Sequence, residues 1–128
     1  MSQLQNARLG QVAVVCKNVE RATAFYRDTL GLPFLFSAGP TLSFFDVGGT
    51  RLMLSVAEGN ATGTSVLYYK VTDIEGTASA LEKKGVKFVG VPHMIARMPD
   101  HDLWLAEFRD SEDNVLALME EKREQKPA

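Results

Sequence analysis

The sequence predicts an α+β protein made of two βαβββ modules, whose eight strands form a curved, partly open mixed sheet around a cavity. Three observations carry this. Asn18-Val19-Glu20 leads into a helix-like run that stops at Gly31-Leu32-Pro33-Phe34. In the second half, Asp73-Ile74-Glu75 leads into another that stops at Gly85-Val86-Lys87-Phe88. Each half then closes on two strand-like runs, Leu42 to Val47 with Thr50 to Val56, and Leu103 to Arg109 with Asn114 to Glu120. An internal repeat decides the architecture, because two such units set side by side can curve their sheets around a shared space. The chain, 1–128, therefore reads as a single domain. Module 1 covers about 8–58, a small polar linker 59–64, module 2 about 65–121, and a charged C-terminal tail 122–128.

The elements follow in order. Gln11 to Cys16 is short and rich in β-branched residues, which predicts a strand. From Glu20 to Leu30, the apolar residues Ala22, Phe25, Tyr26 and Leu30 recur at helical spacing, and Asn18 can cap the run. Gly31 suits the left-handed residue that ends a helix, and Pro33 forbids continuation. Pro33 to Ser37 reads as a strand, and Gly48-Gly49 marks a tight hairpin. In module 2, Ser65 to Val71 reads as a strand and Ile74 to Lys84 as a helix capped by Asp73. Lys87 to Val91 reads as a strand, and Pro92 to Asp102 as an irregular connector holding both histidines, His93 and His101.

Composition narrows the function classes. A net charge of -2 provides no basic footprint, so neither nucleic acid nor an anionic membrane surface is an expected partner. No apolar run approaches the ~20 residues of a membrane span. The single Cys16 has no disulfide partner within the chain and sits beside Val14 and Val15 as a small hydrophobe. A cytoplasmic protein is the expectation.

Two segments are the most specific, Phe25-Tyr26-Arg27-Asp28-Thr29-Leu30-Gly31-Leu32 and Phe108-Arg109-Asp110-Ser111-Glu112-Asp113-Asn114. With the elements around them they resemble the vicinal oxygen chelate superfamily, which includes glyoxalase I, methylmalonyl-CoA epimerase, extradiol dioxygenases, fosfomycin-resistance enzymes and bleomycin-resistance proteins. The resemblance covers nearly the whole chain and implies the glyoxalase/bleomycin-resistance/dioxygenase fold and a homodimer. Metalloenzymes of that family place one ligand on each of four strands. Carried over position by position, those ligands fall on Gln11, Met53, Val66 and Ala117. One of the four is chemically competent, and the neighbours Leu52, Leu54, Leu67, Leu116 and Leu118 are no better. A divalent cation needs several oxygen or nitrogen donors. The expectation is therefore no metal and no cofactor, with a divalent metal at a non-standard site as the alternative.

Other residues are candidates for ligand contact. Arg51 shares the face of Met53 and is a candidate anion anchor. Tyr68 and Tyr69 alternate faces, so one points into the cavity. His93, Arg97 and Trp104 belong to a segment that could cover its mouth. Glu107 interrupts the apolar run Leu103-Trp104-Leu105-Ala106-Glu107-Phe108. In an apolar pocket it could act as a base, with His101 as an acid–base partner. Two functions follow as expectations. The first is a metal-independent protein, similar to the bleomycin-resistance branch, that holds a small, partly apolar molecule among Met53, Val66, Ala117 and Trp104, with Gln11 a candidate hydrogen-bond partner. The second is a lyase or isomerase of the glyoxalase I or methylmalonyl-CoA epimerase kind, using a non-standard metal site or Glu107 and His101.

Overall fold

The computed structural model describes residues 5–6, 8–56 and 65–123, so the 59–64 linker and residues 124–128 of the tail lie outside the described residues. The chain divides into two compact units, Met1–Gly63 and Thr64–Ala128. The first unit comprises β1 (Gln11–Cys16), α1 (Val19–Ala24), a π-helical turn (Phe25–Thr29), β2 (Phe34–Ala38), β3 (Leu42–Val47) and β4 (Thr50–Val56). The second comprises β5 (Leu67–Lys70), α2 (Ile74–Lys83), β6 (His93–Arg97), β7 (Asp102–Arg109) and β8 (Val115–Lys122). Each unit is thus βαβββ. The sheets run β1-β4-β3-β2 and β5-β8-β7-β6, and in each the first strand lies parallel to the last and the other pairs are antiparallel. Among the described residues no helix is long and apolar enough to cross a membrane.

Local chemistry accounts for the helix ends. The Asn18 side chain accepts the Arg21 amide at 3.0 Å, and Asp73 accepts that of Gly76 at 3.1 Å. Each thereby satisfies a first-turn donor that has no partner within the helix. Gly31 and Gly85 stop the helices at φ of 75° and 93°, a left-handed region costly for residues with a Cβ. Between β3 and β4, Gly48 and Gly49 both have positive φ, as the two-residue hairpin turn requires. One local feature departs from the predicted helix. The Leu30 amide bonds the Phe25 carbonyl at 2.9 Å, an i→i+5 contact that widens the last turn.

One face of each sheet carries a helix and forms the core. In the first unit Leu52, Leu54, Phe45 and Cys16 are buried with Ala22 and Tyr26 of the helical segment. In the second, Leu116, Leu118, Ala106 and Phe108 are buried with Ile74, Ala78 and Leu81 of α2. The repeated phenylalanine beyond each helix-ending glycine now has a reason. Phe34 packs on Phe45 with ring centroids 5.5 Å apart, and Phe88 packs on Phe108 at 5.2 Å.

The structure corrects the second half in two places. Lys87 to Val91 is not a strand: it pairs once, at Phe88 with Phe108, before Gly90 turns the chain at φ 98°. The strand is β6, inside the run read as an irregular connector. Pro92 lacks an amide donor, so ladder pairing resumes only at His93, opposite Leu105. In addition, β8 runs past the expected module end to Lys122. There Lys122 pairs with Glu75 and lies 4.1 Å from the Trp104 ring centroid.

Glu120 connects β8 to α2 by accepting the Ile74 amide at 2.9 Å. Its loss leaves a first-turn donor without that acceptor. Glu120→Ala is expected to lower stability by about 1–2 kcal/mol. Urea unfolding should show a lower midpoint at unchanged slope; an unchanged midpoint would refute the role.

Candidate functional site

In the first unit, the sheet face opposite α1 is a surface of mixed chemistry. The register places Ala13, Met53, Phe44 and Phe36 in one row across β1, β4, β3 and β2. Gln11, Arg51 and Asp46 form the adjacent row. Gln11 Nε2 lies 3.8 Å from Met53 Sδ, so two of the positions to which the family assigns metal ligands touch each other. The Phe36 and Phe44 rings stack with centroids 4.7 Å apart at 29°. The Arg51 guanidinium carbon lies 5.9 Å from the Phe36 centroid and 5.5 Å from that of Phe44. Phe36 is 45% exposed, whereas Phe44 is buried.

The second unit repeats the geometry with different side chains. Tyr68, Ala117 and Glu107 form its row, in the places that Ala13, Met53 and Phe44 hold in the first. Val66 precedes Tyr68 as Gln11 precedes Ala13, by one pleat on the same face. The strand registers therefore put Gln11 and Val66, and Met53 and Ala117, at equivalent points of the repeat. Val66 and Tyr68 are exposed and Ala117 is fully buried.

The fold family implies a divalent metal at these four positions, and their side chains do not suit one. Gln11 offers a neutral amide oxygen and Met53 a soft thioether, while Val66 and Ala117 have no donor atom. Among the described residues, no group of three or more His, Cys, Asp or Glu side chains could hold a metal ion.

The remaining candidates are dispersed. Trp104 stands opposite Glu120 on the side of Ala106 and Phe108, facing away from the Tyr68–Ala117–Glu107 row. Strand alternation requires this, and it removes Trp104 from the surface it was expected to share with Val66 and Ala117. Glu107 does share that row, but it is exposed rather than enclosed in an apolar pocket. Five positions of extended strand separate it from Asp102 at the start of β7, and His101 lies one residue earlier. That places the two about 20 Å apart along the strand, so they cannot act on one substrate atom. His93 and Arg97 are exposed on the outer strand β6. Tyr69 points to the α2 side, where its hydroxyl is buried and has no hydrogen-bond partner among the described residues. Burial and then Asp110 raise its pKa.

His101 is half-buried in an ionic cluster rather than free in a loop. Its Nδ1 meets Asp100 at 2.7 Å and its Nε2 faces Glu121 at 3.8 Å, while Arg123 binds Asp100 at 2.7 Å and Lys70 binds Glu121 at 3.0 Å. Arg123 first, then His101, holds the Asp100 carboxyl down at about 2. A depressed carboxylate pKa gives stability that is present above the unfolded value and lost as pH falls through the folded one. Asp100→Asn should therefore be less stable than the parent above about pH 4, with the difference fading toward about pH 2. Urea midpoints across that range measure it, and a gap persisting at the acid end would contradict it.

Sequence reading did not single out Phe36 and Phe44. Strand alternation separates Phe44 from Phe45, but only the register shows that Phe44 joins Met53 while Phe45 joins Leu52.

Comparisons with known proteins agree with this architecture. A crystal structure of lactoylglutathione lyase from Agrobacterium tumefaciens superposes with a TM-score of 0.74 at 21% identity, covering 91% of this chain and 95% of that one. A Glyoxalase/bleomycin resistance protein/dioxygenase superfamily member from Sphaerobacter thermophilus DSM 20745 gives 0.76 at 21% identity, covering 90% and 98%. In sequence, the uncharacterized protein YraH of Bacillus subtilis (strain 168) is 28% identical, covering 87% of this chain and 96% of its own. Residues 8–118 match the profile described as the Glyoxalase/Bleomycin resistance protein/Dioxygenase superfamily, and the chain belongs to that superfamily.

Proposed function

We propose that this protein binds a small, partly apolar molecule on the open face of its sheet and does so without a divalent metal, in the manner of the bleomycin-resistance branch it resembles. The observation that carries this reading is the contact of Gln11 with Met53, flanked by the Phe36–Phe44 stack. Where a metalloenzyme needs hard donors, this chain presents a thioether and aromatic rings. Methionine adapts its shape and is polarizable, which suits binding of flat apolar groups. Taken by itself, the second unit's sheet carries Tyr68 beside Ala117, an aromatic residue next to an apolar position. A homodimer is part of the proposal, by the same resemblance, and sedimentation at several concentrations tests it.

Elemental analysis tests the metal-free reading. Protein incubated with Ni, Zn, Mn or Fe and then desalted should retain far less than one ion per chain. One tightly held ion per chain would sink it.

A further inference from the structure

We propose that the ligand of the first unit's open face is a planar aromatic acid, its ring laid against the exposed Phe36, which stacks on the buried Phe44, and its anionic group held by Arg51. The inference rests on the binding reading above and adds the chemical class of the ligand.

Arg51 is exposed, and among the described residues no carboxylate lies in ion-pair range of its guanidinium. Asp46 stands opposite it in the register, but that carboxylate accepts the Gly49 amide at 3.2 Å in the β3–β4 turn. The guanidinium instead rests near two stacked rings, with Cζ 5.9 Å and 5.5 Å from their centroids. A guanidinium near aromatic rings still carries N–H donors in a fork that matches a carboxylate. Holding the cation against the rings also limits its freedom before any ligand arrives, which reduces the ordering cost of binding.

The apolar half of the ligand is specified by the same row. Phe36 is 45% exposed, an apolar aromatic surface directly beside the charge. A neutral aromatic would cover the rings yet leave Arg51 partly desolvated without an acceptor. An aliphatic acid would satisfy Arg51 but forgo ring stacking. A cation would be repelled. Gln11 adds a second polar handle, since among the described residues its amide nitrogen meets a weak thioether acceptor and can turn to a ligand oxygen at small cost.

Three probes separate these possibilities: 2-naphthoate, the isosteric neutral 2-naphthamide, and cyclohexanecarboxylate, each titrated calorimetrically at low salt. For the parent protein, 2-naphthoate should bind at least about tenfold more tightly than either of the others. In Arg51→Gln the preference for acid over amide should fall to about twofold or less, with naphthamide affinity retained. Because Arg51 is exposed, its urea midpoint should stay near the parent value. Phe36→Leu should weaken both naphthyl probes and leave cyclohexanecarboxylate unchanged. Equal affinity for naphthoate and naphthamide overturns the acid class while leaving the apolar-face reading intact. A preference that survives Arg51→Gln overturns the role of Arg51, and failure of every naphthyl probe overturns the proposal together with the reading beneath it.

Discussion

Phe45→Ala is expected to remove about 3–5 kcal/mol of stability, close to the largest cost of any single truncation in the first unit. Phe45 is fully buried in the centre of the helix-facing side. Its ring lies 6.0 Å from that of Tyr26 and 5.5 Å from that of Phe34, so truncation empties the meeting point of the π-helical turn, β2 and β3. The apolar transfer term and the residual cavity add, because the surrounding β-strands are fixed by their ladders and relax little. Against a total of about 5–15 kcal/mol, that is a large fraction. Urea unfolding followed by circular dichroism measures it. A loss under about 1 kcal/mol would mean the site collapses around the gap. Phe45→Leu should cost less, since more of the volume is kept.

Restoring the family's carboxylate by Ala117→Glu should also be severe, at about 3–5 kcal/mol near neutral pH. Ala117 is 0% exposed, and its directly opposed neighbour on β7 is Glu107. The larger side chain has to be accommodated in a filled space, and its charge would be desolvated beside a like charge. Desolvation and the like charge of Glu107 raise the introduced carboxyl's pKa in the folded state. The charge penalty is therefore absent below the unfolded value near 4.3 and grows as pH rises toward the raised folded one. Ala117→Gln separates the two causes, since it keeps the volume cost and removes the pH dependence. Equal stability of the Glu variant and its parent at neutral pH would show that the position can open. Met53→Glu should be milder, because Met53 is half-buried and lies beside Gln11 rather than an acid.

Much of the architecture was legible locally. β1, β3 and β4 coincide with their predicted limits, because the β-branched run of β1 and the Gly48-Gly49 turn between β3 and β4 are stated within a few residues. Asn18, Asp73, Gly31 and Gly85 announce the helix ends for the same reason. β6 was not legible. His93-Met94-Ile95-Ala96-Arg97 has no clean alternation, and the register shifts between Met94 and Ala96, so only pairing with β7 makes it a strand. The cluster around His101 was hidden similarly, since Asp100, Glu121, Arg123 and Lys70 come from three separated segments.

The sequence by itself determined that the chain is a duplicated βαβββ protein, which is a property of residue type and spacing. The resemblance to the family added that Gln11, Met53, Val66 and Ala117 fall on its metal-ligand positions. Tertiary structure decided which side chains share a surface. It moved Trp104 to the helix side, separated Glu107 from His101, and assembled Phe36, Phe44 and Arg51 beside Met53. The reason is strand register: a pleat sends each successive side chain to the opposite face, and which strands become neighbours is settled only when the sheet closes on its core.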